Sequence, residues 1–311
     1  MRTIQINRYG KTDRLTIVNV PLPKPPAGYV LIKNSFISIN PYDCLARQGK
    51  MWFLEGFRFP KILGAESSGV VTEVGAGVTG FETGDRVVVL MGRRGAYSEY
   101  VTVPESCIVR IPPEVKLEDA ATLPVAGTSA YDAVHQRASV VAGVRVLITG
   151  AGGSLGSFAV QFSRLVGAEV TALCRESKIE AVRDLGATEV SDYRKYDLNK
   201  SGKTWDVILD CSGVLKFSSA RSYLSQHGKM IAVLPGPSAM TQQMISSKAQ
   251  KKLKVLFGNP TAEKVSRLLA LVRNRSLKPL IGKEFPFDSI IEAHQLCESG
   301  AAIGKILLRV D

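Results

Sequence analysis

Residues 145–149, Arg-Val-Leu-Ile-Thr, make a short β-branched run that ends directly in Gly150-Ala151-Gly152-Gly153-Ser154-Leu155-Gly156, and helical spacing begins at once. A strand, a glycine turn and a helix in immediate succession form the first half of a βαβ crossover, which commits this part of the chain to a parallel sheet flanked by helices. Glycines permit the sharp turn and let the backbone approach a pyrophosphate, while the helix start offers free N–H groups and a partial positive charge. A dinucleotide fits that chemistry. The spacing, Gly150, Gly153 and Gly156 with an additional Gly152, departs from a strict G-x-G-x-x-G, so a glycine turn made only for packing is the alternative.

The texture on either side of this turn divides the chain. Up to about residue 116 the pattern is short strands broken by Pro and Gly, expected at 29–36, 68–74 and 86–90, which reads as a small β-barrel. From residue 126 helical spacing appears at 126–137 and 155–165, and β-branched runs at 144–149, 169–173, 206–210, 230–234 and 253–257 alternate with helices ending near Leu185 and spanning 217–225. That alternation predicts a doubly wound parallel sheet. The last stretch is read as a helix at 261–274, a short helix and a terminal strand that rejoins the barrel. The expected domains are 1–117, 118–258 and 259–311, with no internal repeat and no low-complexity tether.

Composition narrows the function classes. Of 311 residues 45% are hydrophobic and 22% charged, the balance of a folded chain, and no apolar run is long enough to span a bilayer. The opening MRTIQINRYG carries charge where a secretory signal needs its apolar stretch, so cytoplasmic residence is expected. Cys44, Cys107, Cys174, Cys211 and Cys297 stand singly and spell neither a disulfide framework nor a C-x-x-C knuckle. The net charge of +12 is dispersed among apolar residues; it suits plain solubility or an anionic cofactor, and nucleic acid is not the expected partner.

Cofactor choice is written at the end of the second strand. NAD-binding sites place an acidic residue there to hold the ribose 2′-OH. Here the strand runs into Arg175-Glu176-Ser177-Lys178: Arg175 is a planar fork suited to a 2′-phosphate and Lys178 adds a second positive charge, which favours NADPH. The alternative leaves both cations solvated and gives the ribose to Glu176. Because ligands of open α/β sheets bind at the carboxyl ends of the strands, Ser212, Gly213, Leu234, Phe257 and Asn259 join Gly150, Gly152, Gly153, Ser154 and Leu155 as candidate cofactor contacts.

Three segments together resemble the medium-chain dehydrogenase/reductases: GAESSGVVTEVGAGVTGFETGDRVV from Gly64, GAYSEYVTVP from Gly95, and the GAGGSLG turn paired with a closing Gly304-Lys305. The resemblance implies a GroES-like β-barrel catalytic domain plus a Rossmann doubly wound parallel-sheet domain. Zinc alcohol dehydrogenases of that superfamily have a His before the Glu of the barrel signature and a catalytic Cys upstream. This chain has Ala65 before Glu66, and its upstream Asn40-Pro41-Tyr42-Asp43 resembles the N-x-x-D segment of the zinc-free quinone oxidoreductase and alkenal reductase branch, the zeta-crystallin-like proteins. No metal site is therefore expected; Cys44 reads as a buried or merely adjacent thiol, and His135, His227 and His294 as helix or surface residues.

By the same resemblance Asn40 and Thr128 are the pocket residues to expect. Asn40 would bond the nicotinamide ribose or the substrate oxygen, unless it only forms a turn before Pro41; Thr128 would face the nicotinamide, unless it is a helix cap. Tyr193 closes a segment similar to LGA-x-x-V-x-D-Y of related reductases and would lie by the adenine end, unless it is a strand-end aromatic. Lys305 would approach the cofactor from the barrel side, unless it is a surface lysine. Tyr42 is a weaker proton-donor candidate by analogy with enoyl thioester reductases, and Met51, Trp52, Phe53 and Phe57 either line an acceptor site or pack in the core.

Without a metal to stabilise an alkoxide, the logical acceptor delocalises hydride charge onto its own oxygen, as a quinone or an α,β-unsaturated carbonyl does. An enoyl thioester reductase is the enzyme alternative and an RNA-binding zeta-crystallin-like role the non-enzyme one. An exposed edge strand at 253–257 makes a homodimer the expected assembly, and no membrane partner is expected.

Overall fold

The computed structural model describes residues 1–92, 95–233, 239–256 and 258–310. It divides into two compact units, Met1–Val125 with Pro260–Arg275 and Ile281–Asp311, and Ala126–Asn259 with Ser276–Leu280.

The second unit is built on a six-stranded parallel sheet. From one edge its strands run Glu189–Asp192, Glu169–Cys174, Arg145–Thr149, Trp205–Asp210, Leu224–Ala232 and Lys252–Val255. The chain thus leaves the central strand first to one side and then to the other, which creates a switch point beside the carboxyl end of Arg145–Thr149. Val146, Leu147 and Ile148 are fully buried, as a parallel strand covered on both faces requires. The helix Ser154–Leu165 packs Phe158, Ala159 and Phe162 inward, the two rings stacked 6.4 Å apart. Each buried Phe contributes about 1.5–3 kcal/mol through area removed from water. From the same helix Gln161 donates to the Lys278 carbonyl at 2.9 Å and accepts from the Lys278 N–H at 2.8 Å, which ties Ser276–Leu280 to this unit.

Three details of this unit differ from the sequence expectation. Glu189–Asp192, too short and polar to signal a strand, completes one edge by pairing Cys174 with Asp192. The fifth strand starts at Leu224 because that side chain is buried opposite Trp205, not near residue 230. The helix expected at 126–137 exists, but as Thr128–Tyr131 between two π-helical turns, Leu123–Gly127 and Asp132–Arg137. Gly127 is itself helical (φ −63°, ψ −50°), so Thr128 lies inside a continuous helical stretch and is not its cap. The edge strand is Lys252–Val255; Leu234 and Phe257 lie outside the described residues.

In the first unit a seven-stranded sheet runs Ile281–Pro286, Lys305–Arg309, Tyr29–Ile39, Glu66–Val74, Arg86–Leu90 and Ile108–Arg110, with Tyr100–Pro104 also paired to Tyr29–Ile39. The terminal strand pairs antiparallel with the long one, Ile306 opposite Ile39 and Leu308 opposite Ile37. A smaller sheet joins Thr16–Asn19, Arg2–Ile6 and Lys61–Ile62. Alternate residues Val30, Ile32, Val87, Val89, Val101 and Val103 face one core, as the two-residue period of strands dictates. A second core gathers Ile4, Ile6, Ile37, Leu63, Tyr97, Ile290 and Ile306. Two helices pack together on it: Pro41–Arg47, which Asn40 precedes as N-cap residue, and Ile290–Ser299, which ends at Gly300 in the left-handed conformation.

Trp52, Phe53 and Phe57 are each more than half exposed, so they are not core residues. Trp52 stacks on Phe57 with ring centroids 5.7 Å apart and meets Phe53 edge-on. Met51 is half-buried. Among the described residues no helix is long and apolar enough to cross a membrane.

Candidate functional site

In the second unit the glycine turn stands at the switch point. Gly150 adopts φ +66°, a conformation side chains resist, and a Cβ there would lie 3.1 Å from the Ser212 nitrogen. A Cβ on Gly156 would lie 2.3 Å from the Gly150 carbonyl oxygen, so only glycine lets the helix start this close to the strand end. Gly153 occupies the N-cap position, and no side chain caps the helix that begins at Ser154. Its first N–H groups, those of Ser154 and Leu155 among them, are thus left for an anion. The cradle fits a pyrophosphate.

Asp210, buried at the end of its strand, builds the opposite wall. Its Oδ1 accepts from the Thr149 hydroxyl (2.6 Å), the Ser212 hydroxyl (2.7 Å) and the N–H groups of Ser212 (3.2 Å) and Gly213 (3.1 Å), while Oδ2 accepts from the Leu215 N–H (3.1 Å). Ser212 and Gly213 are therefore positioned beside Gly150, where position along the strands had placed them. The organising carboxylate was passed over, although an Asp at a strand end before Cys-Ser-Gly is a turn-forming signal. On another side a Cβ on Gly258 would lie 2.7 Å from the Ser129 hydroxyl, so the chain reaching Asn259 passes next to the helical residue after Thr128. Asn259 is exposed and Thr128 fully buried.

The cations gather where the second strand ends. Lys178 is buried and its stem lies against Gly152, where a Cβ would meet it at 2.6 Å. Burial and the nearby Arg175 push its ammonium below the ordinary lysine range. Tyr193 is half exposed and its N–H bonds the Cys174 carbonyl at 3.0 Å. The Arg194 guanidinium lies 5.6 Å over its ring and donates to its hydroxyl at 3.4 Å. Arg194, then Arg175, hold the phenol below its usual range. Arg175, Lys178, Tyr193 and Arg194 thus form one cluster, and Arg194 is the member sequence reasoning missed. Glu176, which a NAD site would turn to the ribose, is instead paired with Lys195 at 2.6 Å.

The first unit holds a second polar centre in its interior. Lys305 is 1% exposed, which removes the surface-lysine reading; its ammonium donates to Asn40 Oδ1 at 2.6 Å and to Glu66 Oε1 at 2.5 Å. Asn40 returns a hydrogen bond from Nδ2 to the same carboxylate oxygen at 3.1 Å, and Glu66 Oε2 accepts from the Val125 N–H at 2.7 Å. Asp43 accepts the Asn40 N–H at 2.8 Å, so Asn40 both begins the helix and holds the lysine. Complete burial pushes the Asp43 carboxyl up to about 7. Tyr42 donates to Glu55 at 2.6 Å.

Beyond Asp43 the polar chain continues. Arg47 Nε can only donate, and it points at His294 Nδ1 at 3.4 Å, so the ring proton belongs on Nε2, which donates to the Tyr97 hydroxyl at 3.1 Å. Burial, then Arg47, push His294 down to about 3, leaving a neutral imidazole. His294 is a helix residue as expected, but its ring is a buried structural partner. His135 lies against Tyr131 and Phe162, and His227 is exposed.

Two family models match the chain, an alcohol dehydrogenase GroES-like domain over residues 26–113 and a zinc-binding dehydrogenase over residues 185–308. The chloroplast envelope quinone oxidoreductase homolog of Arabidopsis thaliana is 34% identical across 99% of this chain and 98% of that protein. The chain belongs to the medium-chain dehydrogenase/reductase superfamily. This medium-chain dehydrogenase/reductase is also similar to the human mitochondrial NAD(P)H oxidoreductase RTN4IP1, 30% identical over 98% of this chain and 88% of the relative. The solved quinone oxidoreductase of Coxiella burnetii superposes with a TM-score of 0.92 at 27% identity, covering 100% of this chain and 99% of that one. The GroES-like and Rossmann units are therefore those of the superfamily, and the protein is an oxidoreductase that uses a pyridine nucleotide.

Membership corrects one expectation. Cytoplasmic residence does not stand, because the Arabidopsis and human relatives, matched over most of their lengths, are named for the chloroplast envelope and the mitochondrion. Organellar transit segments are amphipathic and rich in Arg and Ser, so the lack of an apolar stretch has no bearing on them. The zinc in one family model's description also meets a poor donor set here. Among the described residues no group of three His, Cys, Asp or Glu side chains is placed to hold a metal ion, and beside Glu66 a lysine ammonium already supplies the positive charge.

Proposed function

We propose that this protein is an NADPH-dependent oxidoreductase that reduces a quinone or an α,β-unsaturated carbonyl without a metal ion. The observation that carries the reaction class is the Lys305 ammonium held between Asn40 and Glu66. At the signature where zinc alcohol dehydrogenases supply metal-binding residues, this chain has Ala65 and Asn40, and an internal cation neutralises the carboxylate. With no Lewis acid to stabilise an alkoxide, the substrate must spread the incoming charge itself, and conjugated acceptors do so.

NADPH supplies the hydride. The Gly150–Gly156 turn and the uncapped N–H groups after Gly153 would bind its pyrophosphate, with Ser212 and Gly213 closing the far side. Arg175, Lys178 and Arg194 would hold the 2′-phosphate by charge-assisted hydrogen bonds, Tyr193 would cover the adenosine end, and the Glu176–Lys195 pair withdraws the acidic residue that NAD needs. Thr128 and Asn259 are proposed on the nicotinamide side of this unit. In the other unit Asn40, with its Oδ1 committed to Lys305, keeps amide N–H capacity for a substrate or ribose oxygen, and Lys305 acts through Asn40 as a positioning residue. The exposed Trp52–Phe57 stack offers a flat apolar surface that suits a planar acceptor. The open Lys252–Val255 edge is the proposed homodimer contact, read by sedimentation.

The reaction is tested by following NADPH consumption with quinones, alkenals, enoyl thioesters and simple ketones in parallel, before and after treatment with a chelator. Turnover of quinones or alkenals that survives chelation is expected. Turnover confined to simple ketones or enoyl thioesters, or abolished by chelation, contradicts the proposal.

A further inference from the structure

The helices Pro41–Arg47 and Ile290–Ser299 hold two of the five cysteines against each other. Cys44 is 4% exposed, and its sulfur lies 3.4 Å from His294 Nδ1 and 3.9 Å from the His294 carbonyl oxygen. Cys297 follows His294 by three positions, and a helical side chain leans back over the turn preceding its own Cα. That turn carries the carbonyl on which Cys44 rests. The Cys44 sulfur therefore lies against the turn that the Cys297 side chain covers, and the two thiols are neighbours across the helix pair. The proposed reduction uses neither of them.

Their surroundings differ in a way that assigns roles. Cys297 is half-buried, whereas Cys44 is buried. The neighbouring Cys44 favours the thiolate on Cys297, whereas Cys297 and burial keep Cys44 itself protonated.

We propose that Cys44 and Cys297 form a reversible disulfide, with Cys297 as the peroxide-reactive thiol and Cys44 as the thiol that resolves it. The Cys297 thiolate attacks hydrogen peroxide, the O–O bond breaks, and a sulfenic acid forms as hydroxide leaves and is protonated to water. Cys44 then attacks the Cys297 sulfur while its proton passes to the departing hydroxyl; the S–O bond breaks and a second water leaves. Two thiols are oxidised by loss of two hydrogens and one peroxide is reduced to two waters. The bond ties the helix that Asn40 begins to the closing helix just ahead of Lys305, and a dithiol reductant opens it.

The full-length protein is exposed to hydrogen peroxide under native conditions, its remaining thiols are blocked with an alkylating reagent, and it is digested without reductant. The expected product joins the Cys44 and Cys297 peptides, the free-thiol content falls by two per chain, and dithiothreitol restores both. In Cys44→Ala the sulfenic acid on Cys297 persists and is captured by dimedone; in Cys297→Ser peroxide leaves Cys44 reduced. The proposal is overturned if wild-type Cys44 and Cys297 stay alkylatable while Cys107, Cys174 or Cys211 oxidises, or if sulfenic acid accumulates on wild-type Cys297 without the cross-link. Should either variant fold poorly, the wild-type peptide map decides alone.

Discussion

Replacing Lys305 by Met keeps the length and the apolar stem of the side chain and deletes only the ammonium. Glu66 then remains at 0% exposure with two donors, the Val125 N–H at 2.7 Å and the Asn40 amide at 3.1 Å. Removing one partner of a buried pair leaves an uncompensated charge and costs about 3–5 kcal/mol, against less than about 1 kcal/mol for an exposed pair. With roughly 2–4 °C of midpoint per kcal/mol for a unit of this size, the unfolding transition that contains residue 305 should fall by about 6–20 °C. The assay is a thermal melt at neutral pH of wild type, Lys305→Met, Glu66→Gln and the double variant. The double variant should lose less than the two single losses together, because it leaves no orphaned charge. A Lys305→Met protein within about 1 kcal/mol of wild type, or a double variant as poor as the sum, would refute this account of the centre.

Three further outcomes follow from the same geometry. Arg175→Ala should raise the Michaelis constant for NADPH about ten- to a hundredfold, the worth of one charge-assisted hydrogen bond, and leave that for NADH unchanged; steady-state kinetics with both nucleotides read the difference, and equal effects would discredit the phosphate cluster. Gly156→Ala puts a Cβ 2.3 Å from the Gly150 carbonyl oxygen and should weaken nucleotide binding at least about tenfold, measured by calorimetric titration; unchanged binding would show that the turn tolerates a wider approach. His294 is buried neutral with its pKa lowered to about 3, while the unfolded chain protonates near its ordinary value of about 6.5. Its contribution to stability is therefore present above that value and is lost as pH falls toward 3, at up to about 1.4 kcal/mol per pH unit. Urea melts between neutral and acid pH should show His294→Asn with a shallower loss than wild type, and parallel curves would contradict the neutral imidazole.

The parallel sheet was legible because its strands are continuous β-branched runs, and the Gly150–Gly156 turn announces both a conformation and a ligand. Glu189–Asp192 was not, since a four-residue edge strand takes its stability from pairing with Glu169–Cys174 and carries little hydrophobic signal of its own. The π-helical turns around Thr128 leave no mark in composition, so a helix cap remained an open reading until Gly127 was seen to be helical. Long-range partners were the hardest. Lys305 and Glu66 are 239 residues apart, and nothing local says that a lysine near the chain end will be buried on an asparagine and a glutamate. The exposed Trp52, Phe53 and Phe57 failed the general rule that aromatics pack inside, because they lie on a short helix and the loop just after it, outside both cores of their unit. Arg194 went unnoticed because its role depends on a strand that was itself missed.

The central claim is that one glycine turn and the cations beside it select a phosphorylated nicotinamide dinucleotide. Calorimetric titration of the purified protein with NADPH and, separately, with NADH tests it most directly. The account predicts saturable binding of both with NADPH tighter by at least about tenfold. No binding of either nucleotide, or tighter binding of NADH, would contradict it.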